Sequence, residues 1–85
     1  MATRIKQITT GSWQGEAVLY KTDQPVSYGD GLTTDYVVAS AVSTFGPETY
    51  IFPSDSDGGV LDWGELDGSQ KNVLDPDLVI REGGY

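Results

Sequence analysis

The chain has no histidine and no cysteine in 85 residues. Without imidazole it lacks the usual general base and the commonest transition-metal ligand. Without a thiol it has neither a disulfide framework nor a thiolate metal site, which fits a reducing compartment. Ser-His-Asp and Cys-His chemistry are both excluded. Cations are also scarce: Arg4, Lys6, Lys21, Lys71 and Arg81 stand against 13 carboxylates, for a net charge of −8. Such a surface repels a polyphosphate backbone, so direct DNA or RNA binding is not expected. No apolar run approaches the roughly 20 residues of a membrane span, and Met1–Gln7 has no apolar signal core. Neither export nor membrane insertion is expected.

The apolar fraction is 38%, with nine aromatics, which suits a folded domain. A chain of this length is expected to form a single domain, residues 1–85, with a modest core. Residues 1–61 read mainly as β hairpins and 62–85 as a short helical C-terminal segment. Thr3 to Thr10 is rich in Thr and Ile and reads as a strand. Gly11-Ser-Trp-Gln-Gly15 is a turn signal. Glu16 to Lys21 alternates, with Val18 and Tyr20 on one face and Ala17 and Leu19 on the other, so a hairpin is expected. Asp23 to Asp35 carries Pro25, Gly29, Gly31 and several aspartates, and reads as the longest loop. Tyr36 to Phe45 is apolar on both faces, the mark of a central strand. Gly46-Pro47-Glu48 turns the chain, Thr49 to Phe52 returns antiparallel, and Pro53 ends the pairing.

Ser54 to Gly59 is an acidic turn, after which Val60 and Leu61 resume apolar packing. Asp62 to Leu66 is read as a single helical turn and Gly68 to Asn72 as a polar loop. Asp75 is placed as an N-cap, with Pro76 at the first helical position and Asp77 at the positive end of the helix dipole. Leu78, Val79 and Ile80 supply a buried stripe, and Gly83-Gly84 stop the helix. The expected fold class is α+β: an antiparallel sheet of about four or five strands followed by one or two short C-terminal helices.

Asp55-Ser-Asp-Gly-Gly59 resembles the opening of a calcium loop. Gly59, Val60 and Leu66, however, occupy the fifth, sixth and twelfth positions, where that loop wants a ligand oxygen, glycine and glutamate. An Asp/Gly turn explains the run without a metal. Asp62, Glu65 and Asp67 resemble a carboxylate cluster for acid–base work on a sugar, but their spacing suits a solvated face. Gly29-Asp-Gly31 and Gly58-Gly59 are too short for a phosphate loop, and no lysine follows either. The aromatics are more informative. Phe52 and Trp63 are candidates for stacking on a base, or else for lidding the small core against the helix. Lys71, Asn72 and Arg81 are candidates for meeting a phosphate. The alternative for Arg81 is an exposed pair with Asp77 one helical turn earlier. No cofactor, metal site or catalytic residue is expected.

The runs Tyr36-Val-Val-Ala-Ser-Ala-Val42, Glu48-Thr-Tyr-Ile-Phe-Pro53 and Gly59-Val-Leu-Asp-Trp-Gly-Glu-Leu-Asp-Gly-Ser69 are followed by Leu74-Asp75, Leu78 and Gly84-Tyr85. Together they resemble the type-one Thoeris anti-defence family of small phage proteins. The resemblance covers residues 36–85. It implies an antiparallel sheet with C-terminal helices, homo-oligomers, and a location in the host cytoplasm. It also implies a non-enzymatic sponge that captures a cyclic nucleotide immune signal, an isomer of cyclic ADP-ribose, without cleaving it. Sequestration needs affinity without turnover, which a chain lacking histidine can supply. Two other readings compete. One is an acidic inhibitor that mimics DNA to a basic host nuclease, mildly favoured because eight of the thirteen acids lie between Asp55 and Glu82. The other is a small structural virion protein.

Overall fold

The computed structural model describes residues 1–8, 16–43 and 46–85. The elements are β1 (Thr3–Ile8), β2 (Ala17–Tyr28), β3 (Leu32–Val42), β4 (Glu48–Ser54), β5 (Gln70–Lys71) and α1 (Pro76–Glu82). Each strand pairs antiparallel with the next, giving the sheet order β1-β2-β3-β4-β5. This is the expected α+β arrangement, with five strands and one helix.

Period-two alternation sorts the side chains onto two faces. Val18, Tyr20, Val37, Ala39 and Ile51 share one face and pack against Val79 and Ile80 of α1. Ile8, Ala17, Leu19 and Val38 form a second buried cluster on the reverse face. The strand Tyr36 to Val42 is therefore central, as its two-sided apolar pattern predicts. The expected turn Gly11–Gly15, with Trp13, lies outside the described residues, as do the strand ends at Thr9–Thr10 and Thr44–Phe45.

Five expectations need correction. Asp23–Asp35 is not a loop. β2 and β3 continue through it to a hairpin tip, with Tyr28 opposite Leu32 and positive φ at Gly29 (56°) and Gly31 (79°). Asp30 stands at the hairpin tip and Asp35 on β3, while Asp23 and Pro25 are absorbed by a bulge between Lys21 and Val26. There the buried Thr22 hydroxyl donates to the Gln24 and Asp35 carbonyls at 2.7 and 3.2 Å.

Pro53 does not end the pairing of β4; it stands opposite Val37, and Ser54 opposite Tyr36. Its carbonyl points away from β3 and accepts the Leu61 N–H at 2.9 Å. Its nitrogen faces the same side, where no strand requires a donor.

Asp62–Leu66 is not helical. The Leu66 N–H bonds to the Ile51 carbonyl at 2.7 Å and the Gly64 N–H to Asp62 Oδ1 at 2.8 Å, so the segment runs along the β4 edge. Within the expected polar loop, Gln70 and Lys71 pair with Thr49 and Glu48 as β5. Leu61, expected to be packed, is exposed.

The helix follows its sequence signals closely. Asp75 caps it, accepting from the Leu78 N–H at 3.1 Å, with Pro76 in the first turn. At the other end the Gly84 N–H bonds to Arg81 and the Tyr85 N–H to Ile80, with Gly84 at φ 81°. This paired closure uses glycine because the left-handed position penalises a Cβ.

Candidate functional site

The five sequence candidates divide between the two faces of the sheet. Register puts Tyr50 opposite Ser40 and Phe52 opposite Val38, so both lie on the reverse face, away from α1. Trp63, carried back along β4 by the Leu61 and Leu66 backbone bonds, meets Phe52 edge-on with ring centroids 5.4 Å apart. Tyr50 and Phe52 are 6.2 Å apart. A row Tyr50–Phe52–Trp63 results, half-buried at its first two members and 67% exposed at the indole. Phe52 and Trp63 therefore do not lid the core against the helix, because the sheet stands between them and α1.

Lys71 joins this row from the strand edge. It pairs with Glu48, and it shares a cleft of about 240 Å³ with Tyr50, Glu65, Ser69 and Gln70. The Tyr50 hydroxyl donates to Glu48, which raises the phenol's pKa and keeps it a neutral donor. Asn72 follows at φ 66°, a left-handed position that asparagine tolerates. Its N–H bonds to the Pro47 carbonyl at 2.5 Å and turns the chain out of β5. Tyr50 was not among the sequence candidates. Its spacing of two from Phe52 on a strand was the available signal.

Arg81 is not brought to this group. It lines a cleft of about 210 Å³ on the helix face with Arg4, Tyr20, Asp77 and Ile80. Its expected pairing with Asp77 is only a through-space attraction, because the two Asp77 oxygens are taken by other donors. The buried Tyr20 hydroxyl donates to Oδ1 at 2.5 Å and Arg4 Nη1 donates to Oδ2 at 2.9 Å. Arg4 Nη2 also reaches Glu16 at 3.5 Å. These contacts span 57 and 73 residues of sequence, so no local pattern announces them.

Burial and the bond to Asp77 push the Tyr20 phenol well above its ordinary value. The Tyr20 hydrogen bond, then Arg4, hold Asp77 below the usual carboxylate range despite some desolvation. The folded-state pKa is depressed, so this contribution is present above the unfolded value of about 3.9. It disappears as pH falls below that value through the folded one. Asp77→Asn is expected to cost about 1–2 kcal/mol at pH 7, a charged hydrogen bond discounted for a side chain 54% exposed. Urea midpoints at pH 7, 4 and 3 check this. The gap between wild type and variant should close as pH drops, and a constant gap would remove Asp77 from the acid response.

The acidic motifs have local explanations. Asp55 Oδ1 accepts from the N–H groups of Asp57 and Gly59 at 2.9 and 2.8 Å, which lowers its pKa. Asp62, Glu65 and Asp67 line an open cleft of about 340 Å³ with Tyr28 and Gly64. Among the described residues no group of three or more carboxylates is arranged to hold a metal ion. Among them also, no helix is long and apolar enough to cross a membrane.

Comparison with known proteins finds no matching family model, no matching curated protein and no matching solved structure. The likeness of residues 36–85 to the anti-defence proteins therefore rests on those residues alone.

Proposed function

We propose that this chain acts by holding a small molecule and not by converting it, and that the ligand is a cyclic nucleotide signal. The resemblance of residues 36–85 implies an isomer of cyclic ADP-ribose, withdrawn from a bacterial immune pathway in the host cytoplasm. The observation that supports this reading is the aromatic row Tyr50–Phe52–Trp63, which runs from the cleft holding Lys71 to an exposed indole. A purine can stack on the indole while Lys71 and the polar groups of Ser69 and Gln70 face its phosphate and ribose. Base–aromatic stacking contributes on the order of 1–3 kcal/mol per base.

The test is thermal. Ligand at a hundredfold excess over Kd stabilises by about 2.7 kcal/mol, so Tm of so small a domain should rise by roughly 10–20 °C. Trp63→Ala is expected to weaken binding by roughly 5- to 150-fold, with little change in the Tm of the free protein. No shift with any cyclic nucleotide at millimolar concentration would end this reading.

A second reading is favoured by a separate observation. Twelve of the thirteen carboxylates are exposed, Glu48 being the exception. An acidic inhibitor of a basic nuclease would display its charge in this way. Its signature is inhibition that weakens steeply with salt.

A further inference from the structure

The hairpin tip between β2 and β3 and the segment after β4 meet on one surface. A Cβ on Gly29 would stand 3.8 Å from Leu32 Cδ1 and 3.9 Å from Asp62 Oδ2, so the leucine and the carboxylate converge over the tip. The Pro53 and Ile51 carbonyls bind the Leu61 and Leu66 N–H groups and hold the residues between them in place. Tip and segment together enclose the open cleft of Tyr28, Asp62, Glu65 and Asp67.

The three carboxylates of this cleft form no ion pair among the described residues, although Glu65 also borders the cleft of Lys71. A fourth exposed acid, Asp30, stands at the tip itself. Two large apolar side chains lie beside these acids and are open to solvent: Leu32 is 55% and Leu61 44% exposed. A single exposed leucine is ordinary. Two of them beside a carboxylate-lined cleft make a surface with two chemistries.

We propose that this surface docks a basic segment of another protein, one in which Lys or Arg alternates with apolar side chains. Nucleic acid and anionic membrane are repelled by the acids. A polyamine would pair the carboxylates and leave both leucines wet. A segment carrying both chemistries answers both. Its apolar side chains cover Leu32 and Leu61, and its cations face Asp62, Glu65 and Asp67. The net charge of −8 also speeds encounter with such a partner. The apolar contact sets this apart from a display of charge alone, because it survives salt that screens the carboxylates. The inference needs neither the aromatic row nor a nuclease, so it stands apart from both readings above.

Amide shifts of the whole 15N-labelled chain test it, during titration with a short synthetic peptide of alternating Arg and Leu. Shifts should cluster at Gly29, Gly31, Asp62 and Gly64. An Arg–Ser peptide of equal charge should bind roughly 5- to 30-fold more weakly. The Arg–Leu peptide should lose a similar factor on Leu32→Ser/Leu61→Ser, with a thermal melt showing that the variant folds; Leu32→Ala/Leu61→Ala replaces it if it does not. Asp62→Asn/Glu65→Gln should weaken binding by roughly 2- to 30-fold. Asp57→Asn/Glu82→Gln removes the same charge outside the cleft and should change binding by less than about twofold.

Failure of the Arg–Leu peptide to bind at millimolar concentration overturns the inference. So does an Arg–Ser peptide or spermine that moves the same amides with equal affinity, and so does a remote pair that matters as much as the cleft pair. Shifts of those amides on raising the protein concentration alone would give the surface to a second copy and overturn it too.

Discussion

Replacing Ile51 with alanine is expected to lower the folding free energy by about 2–5 kcal/mol. Ile51 is fully buried at the middle of β4, opposite Ala39 and within the cluster that meets α1. Its Cδ1 lies 3.4 Å from where a Cβ on Gly68 would stand, so the loop after β4 is packed directly onto it. Its backbone holds the same loop: its carbonyl accepts from Leu66 and its N–H donates to Ser69 Oγ at 2.9 Å. A cavity there cannot be filled by a small shift, because Leu66 and Ser69 are both held by hydrogen bonds to the Ile51 backbone. A domain of this kind has on the order of 5–15 kcal/mol in all, so the loss is a large share of it.

The urea midpoint measures the effect, with the slope unchanged if only stability moves. Ile51→Val should lose about 0.5–1.5 kcal/mol. An alanine variant within 1 kcal/mol of wild type would contradict the packing of this face.

The contrast between Ile51 and the segment it holds shows what the sequence could reveal. Tyr36–Val42 and Thr49–Phe52 announce themselves because two-sided apolar and alternating patterns are local. The helix does so too, since Asp75, Pro76 and Gly84 each act within a turn of their own position. Pro25 and Pro53 mislead for a common reason. Proline reads as a breaker, yet it is tolerated wherever its missing N–H faces no strand or falls in a bulge. Asp62–Leu66 misleads because its spacing suits a helical turn, while the Ile51 carbonyl, distant in sequence, claims the Leu66 N–H.

Site residues follow the same rule. Phe52 and Trp63 are brought together by a return along one strand, an outcome consistent with their nearness in sequence. Arg81 is not, because the parity of β4 sends its even-numbered residues to the face opposite α1. The Tyr20–Asp77–Arg4 cluster depends on contacts between the first strands and the last helix, which no window of sequence contains.

Val79→Asp is expected to abolish folding at 25 °C. A helix of seven residues has no independent stability in water, so α1 exists only because its apolar stripe is buried. Val79 is completely inaccessible and packs with the Val18, Val37 and Ile51 side of the sheet. A carboxylate in that position would meet apolar side chains and no cation, and an uncompensated buried charge costs about 3–5 kcal/mol or more.

Undocking the helix to hydrate the carboxylate is no remedy. It would strip Asp77 from Tyr20 and Arg4 and uncover the whole helix-side face. Either route, added to the lost burial of the valine side chain (about 1.5–3 kcal/mol), matches or exceeds the roughly 5 kcal/mol at the lower end of the range, where so small a domain is expected to lie. Far-UV circular dichroism should show loss of the native signal, and amide exchange of β3 should lose its protection.

Arg81→Asp, two residues on and exposed, serves as the control: it sets an acid near Asp77 and at the negative end of the helix dipole, so it should cost about 0.5–1.5 kcal/mol and leave the protein folded. The physical content of the prediction lies in that difference. If one acid at position 79 and the same acid at 81 proved equally harmless, the sheet face would not be closed by α1. The separation of Arg81 from the aromatic row would then lose its structural basis.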